Sequence, residues 1–256
     1  ALETGERRQR SGEDAKAIGY FQTVCSTLAG MRADPQGCLL WATAMSNLVE
    51  LQAPSWSEST AEKPNLQLAA SALEQGHAAA VAAGAPSDER ATLLASRAEC
   101  AGLLSESAND WKEALPWAAE SAKLWEESLA QELASQSGSQ YTPEASIETL
   151  CSLGVASMAF GKLALTRGTE AIDAKTRRAA QAAVKRGLEV LEEACSLCDS
   201  TRGDDLPDVL QQMAQTLWDA SEVVPTQKRA EVLRRAADRA ASSVRLQAVP
   251  TPESTC

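Results

Sequence analysis

Histidine is almost missing from this chain of 256 residues, His77 being the single one. A Ser–His–Asp or Cys–His pair, or a zinc site with two imidazoles, has little to draw on, and His77 stands in Gly76-His77-Ala78 with no such spacing nearby. Aromatics are also scarce at 4%, with two Phe and two Tyr beside six Trp. No stretch approaches 18 uninterrupted apolar residues, so no transmembrane segment is expected, and no secretory signal is read. Glycine-rich phosphate loops, H-E-x-x-H, G-x-S-x-G and Asp-rich metal loops are absent from the sequence, which leaves neither a cofactor nor a metal to expect. Cations are short as well, with 24 Lys and Arg against 35 Asp and Glu, a formal charge of −11. Positions 1–128 hold 10 basic and 18 acidic residues, and positions 129–256 hold 14 and 17, so the first half carries most of the negative balance. Phosphates need Lys and Arg counter-charges, which argues against a nucleic-acid partner.

What the chain has in quantity is alanine-rich helical pattern. Apolar residues recur at three and four residues over about Glu13–Met31, Gln36–Gln52, Asn65–Ala83, Ser87–Ser107, Asp110–Ser135, Pro143–Arg167, Ile172–Asp199, Leu206–Val223 and Thr226–Ala248. That makes an all-α fold of about nine helices, with connections short enough to set neighbours antiparallel. Start signals agree, notably Pro86-Ser87-Asp88-Glu89, Asn109-Asp110 and Thr142-Pro143-Glu144. Pro116 predicts a kink or a later start for the helix that holds it. Residues 1–12 read as a flexible N-terminal arm, 13–248 as the helical domain with a sub-boundary in the Pro- and Ser-rich stretch 53–64, and 249–256 as a tail.

The pair of segments from Thr142 to Asp199 carries a family likeness. Leu153-Gly154 followed by Gly161 resembles the first helix of a tetratricopeptide repeat, and Gly187-Leu-Glu-Val-Leu191-Glu-Glu-Ala194 resembles its second. Ser157 and Leu150 stand where that repeat has an aromatic and a Trp, and about twenty extra residues separate the halves. A second copy runs from Gly102 through Trp111 to Ala114, and a third from Asp208–Ala220 to Gln227–Ala241, with Ala230 and Ala237 as its small positions. The resemblance implies a right-handed tetratricopeptide-like helical array in which Leu153, Gly154, Gly161, Gly187, Leu191, Ala194, Gly102, Trp111 and Ala114 pack helix on helix. It also implies a protein-binding scaffold rather than an enzyme.

Remaining features fit that expectation. Seven scattered cysteines read as reduced, buried small hydrophobes of an intracellular compartment, and Cys195-Ser-Leu-Cys198 lies near a helix C-terminus, where the dipole disfavours thiolate. Trp117 and Trp125 are candidate partner anchors, as are Arg234, Arg235 and Arg239 on the locally basic last helix. The partners expected are proteins, subunits of a larger assembly. The chain begins on Ala1, as removal of an organellar targeting peptide or the extent of the sequence would equally give; an accessory subunit of an organellar complex in a mitochondrial matrix or chloroplast stroma is a second expectation, and an enzyme without a recognisable motif a third.

Overall fold

The computed structural model describes residues 1–28, 34–57, 63–135, 143–167, 172–200, 206–224 and 226–247. Every regular element among them is helical: α1 (Leu2–Arg10), α2 (Asp14–Leu28), α3 (Pro35–Ser57), α4 (Lys63–Ala82), α5 (Ser87–Glu106), α6 (Trp111–Ser135), α7 (Pro143–Lys162), α8 (Ala174–Ser200), α9 (Leu206–Ala220) and α10 (Thr226–Gln247), with a π-helical turn at Leu163–Arg167 after α7. The fold is all-α. The chain divides into two compact units, Ala1–Gln140 and Tyr141–Cys256.

Two stretches differ from the sequence expectation. Leu2–Arg10, read as part of an arm, is helical, and Gly5 is buried where a Cβ would stand 2.6 Å from the Phe21 ring. Its polar side chains hid this, because the contact is made by a glycine and by Arg8 and Lys16 pairing with Glu13. Those two cations hold the Glu13 carboxyl down at about 2, the hydrogen bond from Lys16 contributing most. Secondly, α3 continues to Ser57 and α4 begins at Lys63, so most of the 53–64 stretch is helical, and the division between units falls after Gln140. The 249–256 tail lies outside the described residues.

In the N-terminal unit α2 packs on α1 and α3, α3 on α4 and α5, and α5 on α4 and α6. Its core gathers Phe21, Trp41, Leu48, Val49, Leu66, Leu73 and Leu104, and a second cluster holds Leu94, Ala98 and Leu124. Helix α6 starts at Trp111 under an Asp110 cap, whose Oδ1 accepts from the amides of Lys112 (2.8 Å) and Glu113 (2.9 Å), and it runs on through Pro116. Buried hydroxyls tie α6 to α5: Ser121 Oγ donates to the Ala98 carbonyl at 2.8 Å, and Ser128 Oγ to that of Ala91 at 2.9 Å. Seven residues up one helix match seven down the other, the register of an antiparallel pair. Arg97 of α5 bridges Glu74 of α4 (3.2 Å) and Glu120 of α6 (2.9 Å).

In the C-terminal unit α7 packs on α8 and α9, and α9 on α10. By length and composition Ile147–Thr166 could cross a membrane, with mean hydropathy 1.4. Here its apolar side chains form the core, with Leu150, Leu153, Met158 and Phe160 all buried. Lys162 reaches Asp219 and Glu222 at 3.1 Å each and fastens the end of α7 to α9. Arg229 Nε donates to the Ser221 carbonyl at 2.7 Å and so closes the C-terminal end of α9.

Candidate functional site

The residues named for repeat packing meet in two helix pairs. A Cβ on Gly154 would lie 2.6 Å from Leu191 Cγ, and one on Gly161 would lie 2.3 Å from Val184 Cγ2. On the facing helix, a Cβ on Gly187 would lie 3.0 Å from Met158 Cε and 3.2 Å from the Gly154 carbonyl oxygen. Leu191 is buried against Gly154, and Leu153 and Ala194 are buried as well. These glycines let α7 and α8 approach to backbone distance, with large residues of one helix seated in the notches of the other. In the α5/α6 pair, Ala114 is buried, Gly102 places its would-be Cβ 3.4 Å from Ser121 Oγ, and Trp111 is half-buried with the Lys112 ammonium 5.8 Å from its ring centroid.

The proposed anchors separate. Trp117 and Trp125 are half-buried and pack against the N-terminal unit's core. Among the described side chains, the tryptophan that stands out to solvent is Trp218 on α9, 58% exposed. Arg234 lies on the open side of α10, 3.4 Å from Asp238. Arg235 and Arg239 line a concave site between α8, α9 and α10.

That site has a volume of about 270 Å³ and is lined by Leu191, Glu192, Cys195, Ser196, Leu217, Arg235, Asp238 and Arg239. Leu191, Cys195 and Leu217 are buried and form an apolar floor, with the Cys195 sulfur 3.9 Å from Met213 Sδ beneath. The polar residues stand at the rim because α8 and α10 each turn a mixed face toward it. Arg235 bonds Glu192 across the helices and Glu231 within its own, and these carboxylates, Glu192 foremost, push its already high pKa further up. The rim therefore presents a pre-set guanidinium and carboxylates over a greasy depression. The sequence singles out Arg235 and Arg239 by charge, whereas Leu191, Cys195 and Leu217 read there as ordinary core residues, and the structure buries all three beneath the rim.

The groups that could have carried chemistry sit elsewhere. His77 on α4 is half-buried with its Nε2 enclosed and without a hydrogen-bond partner, and burial, foremost, lowers its pKa, with Glu127 opposing and Arg90 and Arg97 adding to the depression. Burial pushes the Cys25 thiol up to about 11 and Cys100 up to about 12, far from a reactive thiolate. Cys195 faces the core, while the Cys198 side chain lies outside the described residues. Among the described residues no group of three or more His, Cys, Asp and Glu could hold a metal ion.

No family model matches this chain, and no curated protein does. A solved structure described as a circular tandem repeat protein with novel repeat topology and enhanced subunit contact surfaces is similar to it at 17% identity and a TM-score of 0.38, over 96% of this chain. The chain spans 55% of that protein's length.

Proposed function

We propose that this chain is a non-enzymatic scaffold of tetratricopeptide-like helix pairs that binds protein partners, with the concave site between α8, α9 and α10 as a partner-binding surface. The observation that carries this reading is the site itself: an apolar floor of Leu191, Cys195 and Leu217 under a charged rim of Glu192, Arg235, Asp238 and Arg239. Such a depression takes one apolar side chain of a partner and reads the polar groups flanking it. Support for the repeat reading comes from the helix pairs, since all three sequence copies fall on consecutive packed helices: α5/α6, α7/α8 and α9/α10. The first helices α7 and α9 also touch, as stacked hairpins require.

A photo-crosslinking residue in place of Ser196, in the full chain within a native extract, tests the reading. The expected result is one discrete protein adduct, weakened by Leu217→Glu and Arg239→Glu. Labelling with no dependence on either substitution would remove the site from consideration.

A further inference from the structure

Inside each unit, antiparallel helices meet at seven-residue intervals, and in α7/α8 the interval sets a small residue against a larger one. Gly154 receives Leu191, and seven residues on in α7 and back in α8, Gly161 receives Val184. Helix α10 carries the same kind of row on a face open to solvent. Ala230, Leu233, Ala237, Ala240 and Val244 follow each other at three, four, three and four residues, which lines them along one side of a helix. Ala230, Ala237 and Ala240 are exposed, Leu233 is half-buried, and Val244 is 64% exposed. The face that α10 turns inward is a different one, carrying the buried Val232 and Ala236.

About Ala237 the row complements itself at its centre and ends, with Ala240 meeting the aliphatic stem of Arg234. Seven residues to either side stand Ala230 and Val244, and four to either side stand Leu233 and Ala241. Two α10 helices laid antiparallel with a two-fold axis at Ala237 set Val244 of one over Ala230 of the other, and Leu233 over Ala241, while the two Ala237 positions meet backbone to backbone. Charge agrees with size. At about 1.5 Å rise per residue, the axial offset between Asp238 and the second copy's Arg234 is about 3 Å, and that between Glu231 and the second copy's Arg245 is the same. All four side chains lie on one flank, so symmetry makes four unlike contacts, with Glu231 shared between the second copy's Arg245 and Arg235 of its own helix, 2.6 Å away. Within one chain Arg234 and Asp238 stand 3.4 Å apart with side chains 69% and 65% exposed, which leaves both able to reach outward.

We propose that the open face of α10 is the interface of a symmetric antiparallel homodimer. A second copy fits better than a lipid surface, because a row built mainly of alanine offers little apolar bulk to insert and suits close helix contact instead. A contact of about 21 Å along the helix is small, so the dimer forms reversibly with concentration.

Sedimentation equilibrium of the full chain over a concentration series tests this. The expected mass rises from the 27.1 kDa monomer to twice that value. Ala237→Glu sets two carboxylates face to face on the axis, and the protein should stay monomeric with its far-UV circular dichroism unchanged, since Ala237 is exposed. Ala237→Cys should cross-link under mild oxidation through position 237 in both copies, with wild type as the control. A wild-type mass that never departs from the monomer would overturn the proposal and leave the face to an unlike partner or an anionic membrane. A dimer that persists in Ala237→Glu, or an oxidised Ala237→Cys dimer not linked at position 237, would overturn it equally. Should Ala237→Glu fail to fold, the cross-link decides.

Discussion

Gly76→Ala should destabilise the N-terminal unit even though alanine is the better helix former. Replacing glycine inside a helix ordinarily stabilises by about 0.5–1 kcal/mol. At Gly76 of α4, however, the added carbon would lie 2.0 Å from Ala42 Cβ on α3. Ordinary carbon contacts are about 3.5–4.0 Å, so the helices must part by about 1.5 Å or more at that point. No side chain can turn aside, because Ala42 has no rotamer and the atoms behind it are backbone, its own Cα at 3.5 Å and the Cys38 carbonyl oxygen at 3.8 Å. Separation would loosen Trp41, Met45 and Val49 from Leu66, Ala69 and Leu73, all buried in one cluster. Overpacking of this kind costs about 1–3 kcal/mol, and the missing rotamer escape places Gly76 at the upper end. The net loss is therefore about 2 kcal/mol.

Urea unfolding followed by far-UV circular dichroism measures it, read on the transition of the N-terminal unit. Gly19→Ala on α2 is the control, since nothing lies within 4 Å of its would-be Cβ, and it should stabilise by about 0.5–1 kcal/mol. Exchanging the methyl across the contact, Gly76→Ala with Ala42→Gly, should recover at least about 1 kcal/mol beyond additivity. Equal stabilisation by Gly76→Ala and Gly19→Ala, or strict additivity in the exchange, would refute the reasoning.

The same close packing predicts that Ala194→Leu, at a fully buried position, costs about 1–3 kcal/mol in the urea midpoint of the C-terminal unit. Trp111→Ala should cost about 2 kcal/mol, roughly half the loss for a fully buried Trp, because its indole is only half-buried; a loss near zero would remove it from the α5/α6 contact. His77 has a lowered pKa in the folded state, so the unfolded chain binds the proton more readily; stability is full above the ordinary value of 6.5 and falls as pH drops below it. Denaturation of wild type should therefore steepen with acid relative to His77→Gln, and parallel pH profiles would exclude the effect. Alkylation of the folded protein at neutral pH, mapped by peptide mass, should leave Cys100 unmodified until denaturant is added.

Most helices were legible because they bury one periodic stripe. Asp110 followed by Glu113, and Pro86 before Ser87-Asp88-Glu89, mark starts that α6 and α5 take up within a residue or so. What escaped was packing carried by residues without side chains to read. Gly5 packs under Phe21 in the polar nine-residue α1, and Gly76 against Ala42 joins α3 to α4 with no apolar signature. Pro54 looked like punctuation, yet α3 continues to Ser57. A proline weighs against a helix only through the amide it lacks and the carbonyl it crowds, and near a helix end that weight is slight.

The site was half legible for a related reason. Arg235 and Arg239 announced themselves by charge, but charge alone could not say which way they point. Arg235 is fixed toward Glu192 by an ion pair 43 residues away in sequence, a pairing that only the packing of α8, α9 and α10 creates. Trp117 and Trp125 stand half-buried against the core clusters of the N-terminal unit. In a chain whose helices meet through Gly and Ala, large side chains are needed wherever two helices diverge, so bulk marks the core. Exposed surface that does something must then be recognised by departures from polarity, as at Val244 open on α10 and Trp218 open on α9.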